Sequence, residues 1–222
     1  MLDFDINYPS PEHKNYLESM YKYCQKNNVS ILLKGSLSNK TATKYSDIDL
    51  ILLGIDIDNK IDELITVHGK PVMTNFTTNP KGIIVLVHKD GICIDMDIRK
   101  TISYKELEES IVLLDINEDF VVSEDNIVRC EVNSRLLPDR SNWYRILRLV
   151  HRGTIKYLSS KTQSAMNLLS ETKESLGELE IYNLEFKDNF EDDIQIIFYE
   201  ICKRFKVSNG IKLLFNGLFR EF

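Results

Sequence analysis

The residues best suited to chemistry lie in one string, GSLSNKTATKYSDIDL, residues 35–50. Asp47 and Asp49 flank one isoleucine where an apolar run begins, IDLILL. Side chains alternate across a strand, so two carboxylates two residues apart share a face. Like charges held that close repel unless a cation lies between them. Magnesium is the natural ion, because it takes oxygen donors and commonly binds through one or two carboxylates plus substrate phosphates. The string opens with Gly35-Ser36 at the end of the apolar run ILLKG. A glycine there lets a ligand approach the backbone closely, and a serine opening a short helix offers a hydroxyl and N–H groups to a phosphate. A second acidic pair, Asp95 and Asp97, sits in ICIDMDIR, again on one face. These sets suit phosphoryl transfer assisted by two divalent ions, in which the protein supplies positioning and charge neutralisation.

The elements that must position these groups follow from periodicity. Residues 11–27 open on Pro11 and carry Tyr16, Met20, Tyr23 and Cys24 at helical spacing. Strands are expected over 31–35 and 46–54, an amphipathic helix over 59–69, and strands over 71–77, 82–88 and 92–99. Asp90-Gly91 between the last two apolar runs signals a hairpin. Residues 102–110 read as a short helix and 111–122 as an extended piece with a turn. After Pro138 and Asp139 the pattern is helical: 141–160, 162–176, 190–206 and 208–219. The expected fold class is α+β, a mixed-sheet domain over 1–138 followed by a helical domain over 139–222.

Composition narrows the partners. The 222 residues carry a formal net charge of −6, which disfavours nucleic acid, since duplex affinity comes from Lys and Arg neutralising phosphates. Cys24, Cys93, Cys130 and Cys202 are scattered, so their spacing indicates neither a zinc site nor a disulfide framework, and four buried thiols in a reduced cytoplasm are expected. The first residues, MLDFDINYPS, lack a basic stretch followed by an apolar run, and no apolar segment approaches membrane-spanning length. The expected location is cytoplasmic, with no membrane partner.

The string GSLSNKTATKYSDIDL resembles the signature of the polymerase β-like nucleotidyltransferase superfamily, Gly-Ser-x-Ala-x-Gly-x-Ala-x-x-x-Ser-Asp-x-Asp. Gly35, Ser36, Ala42, Ser46, Asp47 and Asp49 match in register; Ser38 stands where alanine is usual and Lys40 where glycine is usual. KDGICIDMD resembles the corresponding stretch of the antibiotic-modifying branch, of aminoglycoside and lincosamide type, and that register selects Asp95, with Asp97 in reserve. The resemblance implies a transferase that moves a nucleoside monophosphate from a nucleoside triphosphate, ATP for preference, to a hydroxyl of a small-molecule acceptor. Asp47, Asp49, Asp95 and Asp97 would supply ligands to two magnesium ions, with manganese as a substitute, and Asp95 would serve as base. Gly35 and Ser36 would hold the triphosphate, with Ser46 and Lys44 from the same loop completing that set.

The helical part adds a stripe, Arg145, Arg148, Arg152 and Lys156, whose spacing puts them on one face. Such a face is solvated or reaches phosphates, and Arg148 joins the expected nucleotide contacts on the second reading. Acidic residues beyond Glu171 would suit a polycationic acceptor such as an aminoglycoside. Two other readings stay open: nucleotidylation of a protein or tRNA, as in toxin–antitoxin systems, and a degenerate fold kept for binding.

Overall fold

The structure, a computed structural model, describes residues 5–54, 57–78, 81–116, 122, 127–130 and 141–222. The chain divides into two compact units, Met1–Pro138 and Asp139–Phe222. The break expected at Pro138 and Asp139 lies outside the described residues.

The first unit is a mixed six-stranded sheet with helices. Its elements are α1 (Pro11–Asn27), β1 (Ser30–Lys34), α2 (Gly35–Ser38), β2 (Ile48–Leu53), α3 (Ile57–Ile65), β3 (Met73–Thr78), β4 (Lys81–Val87), β5 (Cys93–Arg99), α4 (Tyr104–Glu108) and β6 (Ile111–Leu114). The strand order is β3-β4-β5-β2-β1-β6. All neighbours run antiparallel except β2 and β5, which pair parallel with Asp49 opposite Asp95 and Ile51 opposite Asp97.

Strand alternation sorts the side chains onto two faces. Ile31, Leu33, Leu50, Leu52, Ile94, Met96 and Ile98 belong to the main core, packed with Tyr16, Leu17, Met20 and Cys24 of α1 and Ile61, Leu64 and Ile65 of α3. The opposite face carries Asp49 and Asp95 at one end, then Asp97 level with Ile51, which belongs to a smaller cluster with Leu32, Leu53 and Ile102. A one-residue slip of β2 would bury the carboxylates in the main core, so the apolar burial fixes their register.

One helix ends sooner than periodicity suggests. The helix expected over 59–69 stops at Ile65, where the Thr66 hydroxyl donates to the carbonyls of Asp62 and Glu63 and Gly69 adopts φ +92°. Of the extended piece expected over 111–122, Ile111–Leu114 forms β6 and Val122 bridges to Ile102, while residues 117–121 lie outside the described residues. The hairpin is as expected: Gly91 takes φ +88°, its N–H donates to His88 O, and His88 N–H donates to Ile92 O.

The second unit is helical: α5 (Asn142–Leu158), α6 (Thr162–Ser175), α7 (Phe190–Arg204) and α8 (Asn209–Leu218). Its core takes in Ile146, Leu147, Val150, Leu169, Ile194, Ile197, Phe198, Ile201 and Phe215. Asp193, fully buried, accepts from Lys173 Nζ and Lys187 N–H, both at 2.6 Å. Among the described residues no helix is long and apolar enough to cross a membrane.

Candidate active site

Parallel pairing of β2 and β5 puts the starts of both strands at one end of the sheet, and the end of antiparallel β1 lies there too. Asp47 immediately precedes β2, Asp49 lies within it and Asp95 is opposite Asp49 on β5. Adjacent strands lie ~4.8 Å apart, so facing carboxylates in such a pair are neighbours. Donor atoms of Asp47, Asp95 and Cys93 all fall within 4.8 Å of one another.

The turn leaving β1 completes the constellation. Gly35 has φ +74°, and a Cβ built on it would lie 2.1 Å from Asp49 Oδ2. Any side chain there would collide with the carboxylate, so the glycine allows close approach as well as the left-handed conformation. Ser36 follows in α2, whose first-turn N–H groups have no acceptor within the helix. Lys40 takes φ +60°, so the left-handed step expected of a glycine is kept by a lysine, at a cost of roughly 1–2 kcal/mol. Its ammonium pairs with Asp5.

Crowding shows in the protonation of Asp49. Burial first, and then the charge of Asp47, raise its carboxyl to about 6, while Lys34 opposes the shift. Lys34 faces Asp49 across the β1–β2 pair. These oxygens suit a hard divalent cation, since two acids sit in a half-buried site with one lysine as the opposing charge on Asp49.

The other residues singled out by the sequence have these surroundings. Asp97, the reserve metal ligand, is fully buried and occupied: Arg99 Nη2 donates to Oδ2 at 2.6 Å, and Arg129 Nε and Nη2 donate to Oδ1 and Oδ2 at 2.8 and 3.0 Å. Burial pushes its carboxyl up, but the hydrogen bonds from Arg99 and Arg129 outweigh that and hold it below the usual range. Two guanidinium groups already neutralise it, and it is not among the donors that converge with Asp47 and Asp95. Ser46 Oγ accepts from Thr43 N–H at 2.9 Å, which holds the loop ahead of Asp47. Lys44 is exposed, with its ammonium over the Tyr45 ring at 4.8 Å. Arg148 is half-buried on α5, in the second unit. The expectation of four buried thiols is corrected: Cys24 is buried, but Cys93, Cys130 and Cys202 are only half-buried.

Three further side chains contribute to the site. Cys93 stands two residues before Asp95 on the same face of β5 and brings sulfur into the acidic cluster. Lys34 could have been found by alternation, since it lies two residues beyond Leu32 on the acidic face. His13 of α1 is fully buried and binds on both sides, Nε2 at 3.0 Å from Ser46 O and Nδ1 at 2.9 Å from Ser10 Oγ. A carbonyl only accepts, so Nε2 carries the proton and, in the neutral ring, Nδ1 receives the Ser10 hydroxyl. The imidazole thereby clamps the residue preceding Asp47.

Beside Gly35 lies a hollow of about 380 Å³, lined by Lys34, Gly35, Ser38 and Asn39 and by Glu106, Glu109 and Ser110. Its volume falls in the range of small-molecule sites, ~300–1,000 Å³.

No family model and no curated protein matches the chain. Among solved structures it is similar to a CCA-adding enzyme in complex with CTP, at 12% identity and TM-score 0.35, over 94% of this chain and 50% of the other. The chain thus spans half the length of that enzyme. It is also similar to a STING-associated CdnE c-di-GMP synthase from Capnocytophaga granulosa, at 17% identity and TM-score 0.30, over 97% of this chain and 81% of the other. A third similar structure is a CdnE cyclic dinucleotide synthase from Elizabethkingia meningoseptica with GTP and Apcpp, at 12% identity and TM-score 0.31, over 97% and 91%. Likeness at this level leaves the chemistry to be carried by the side chains described above.

Proposed function

We propose that the chain is a metal-dependent nucleotidyltransferase that moves a nucleoside monophosphate, from ATP for preference, to a hydroxyl of a small molecule. The observation that carries this reading is the parallel pairing of β2 with β5, which sets Asp95 beside Asp49 at the sheet end where Gly35 touches Asp49. Asp47, Asp49 and Asp95 would hold a pair of divalent ions, of which magnesium is the expected one. Those ions, when bound, neutralise charge on the attacking and leaving oxygens of an in-line displacement.

The chain's own groups do the rest. The bare backbone at Gly35 admits the triphosphate, and the Ser36 hydroxyl donates to a phosphate oxygen. Lys34 adds positive charge next to Asp49. Asp95 takes the proton of the acceptor hydroxyl as its oxygen bonds to the α-phosphorus, the α–β anhydride bond breaks and pyrophosphate leaves. The hollow beside Gly35, with Ser38, Asn39, Glu109 and Ser110 in its lining, suits a small polar acceptor bearing hydroxyl groups.

Incubation with magnesium, α-labelled nucleoside triphosphates and a panel of hydroxylated amines tests this through label transfer and pyrophosphate release. Asp47→Asn and Asp95→Asn should each lower the rate by at least ~10²-fold, the scale seen on losing one electrostatic contact to the transition state. Wild-type rates in both variants would overturn the reading.

A further inference from the structure

We infer that the carboxylate cluster also takes a thiophilic divalent cation, zinc or cadmium, through Cys93 together with Asp47 and Asp95, and that this ion blocks nucleotide transfer. The blocking clause rests on the function proposed above; the binding clause rests on geometry alone.

Three donors of mixed character converge here. Asp95 and Cys93 are two residues apart on one face of β5, and Asp47 precedes the parallel neighbour β2, so the set is drawn from two strands of a rigid sheet. One carboxylate oxygen from each aspartate and the Cys93 Sγ lie within 4.8 Å of one another, and all three residues are half-buried. Donors this close can be drawn onto one ion by side-chain adjustment, to metal–ligand distances of about 2.0–2.3 Å. Three protein ligands with a position left open is the usual arrangement of an accessible zinc centre.

The sulfur decides which ion gains. Magnesium takes oxygen ligands and keeps much of its water, so Cys93 adds nothing to its affinity. Zinc and cadmium favour thiolate, and zinc also stands high in the general affinity order of divalent metals. On binding, the Cys93 thiol proton passes to solvent and a metal–sulfur bond forms. The ion then occupies the oxygens of Asp47 and Asp95 needed for magnesium and the triphosphate. Scattered cysteines hide such a site from spacing rules, because here one cysteine joins two aspartates rather than a second cysteine.

The test is a cobalt titration of the intact chain without nucleotide, followed by absorbance. A thiolate-to-cobalt charge-transfer band should appear, fall on adding zinc, and be absent in Cys93→Ser while persisting in Cys130→Ser and Cys202→Ser. Asp47→Asn should keep the band and weaken cobalt binding at least tenfold. No band in the wild type, or a band surviving Cys93→Ser, would overturn the binding clause; circular dichroism of each variant separates loss of the ligand from loss of the fold. In the transfer assay, the zinc concentration that halves the magnesium-supported rate should rise at least tenfold in Cys93→Ser relative to that variant's own zinc-free rate. An unchanged value would overturn the blocking clause. A band without any transfer activity would leave the cation site standing and sink the proposed function; transfer without a band would do the reverse.

Discussion

Asp49→Asn should stabilise the metal-free protein at neutral pH and make it less responsive to magnesium. The Asp49 carboxyl is raised to about 6, by burial and then by Asp47, against an ordinary value of roughly 3.9. Two units correspond to about 3 kcal/mol at ~1.4 kcal/mol per unit, an upper figure for a half-buried group. Because the folded value lies above the unfolded one, the protonated carboxyl favours the fold. That contribution is present in full below about pH 4 and is lost as pH rises through about 6. At pH 7.5 in chelator the neutral amide should therefore gain about 2–3 kcal/mol over the wild type, shrinking below about 1 kcal/mol at pH 4.5. Magnesium at a hundred times its dissociation constant adds about 2.7 kcal/mol to the form that binds it and should cancel this lead, and at a thousand times, where it adds about 4.1 kcal/mol, the order should reverse. The one tryptophan, Trp143, lies in the second unit, so fluorescence reports the wrong part. Amide hydrogen exchange of β2 and β5 against pH reads the first unit directly. A variant less protected than the wild type at pH 7.5 in chelator, or a gain equal at both pH values, would refute the claim that crowded, uncompensated charge strains this site.

Gly35→Ala would place a methyl 2.1 Å from Asp49 Oδ2 on a backbone at φ +74°; transfer should fall at least ~10²-fold, and a normal kcat would show that Asp49 need not lie there. His13→Ala removes the donor to Ser46 O; the magnesium concentration for half-maximal rate should rise severalfold, with stability down by about 1–3 kcal/mol. His13→Gln, which can still donate, should recover part of the magnesium response, whereas equal losses in both variants would assign the effect to packing alone. Arg99→Met leaves Asp97 with Arg129 alone and strips Glu106 of its guanidinium partner, held at 2.7 Å; urea unfolding should show a loss of about 3–5 kcal/mol, and a loss under about 1 kcal/mol would mean the buried pair is balanced by its own desolvation.

Local chemistry was legible in the sequence where it depended on neighbours along the chain. The shared face of Asp47 and Asp49, the glycine turn and the Asp90-Gly91 hairpin all follow from spacing of a few residues. The four long helices of the second unit also emerged, each within about two residues, because an apolar stripe over several turns is a strong signal. What sequence could not supply was the pairing of β2 with β5, strands separated by α3 and a whole hairpin. That pairing decides that Asp95 joins the cluster. The choice between Asp95 and Asp97 was hidden for a related reason: one of Asp97's partners, Arg129, comes from 32 residues away. His13 and Ser46 are likewise 33 residues apart, and nothing in the local pattern of α1 marks that histidine as a clamp.

The central claim is that Asp47, Asp49 and Asp95 gather divalent metal beside the Gly35 turn. Crystals grown with manganese and a non-hydrolysable nucleoside triphosphate, measured for anomalous scattering at the manganese edge, test it most directly. Manganese peaks are expected between those three carboxylates and the phosphates near Ser36. Peaks elsewhere, or a triphosphate bound away from Asp49 and Asp95, would contradict it.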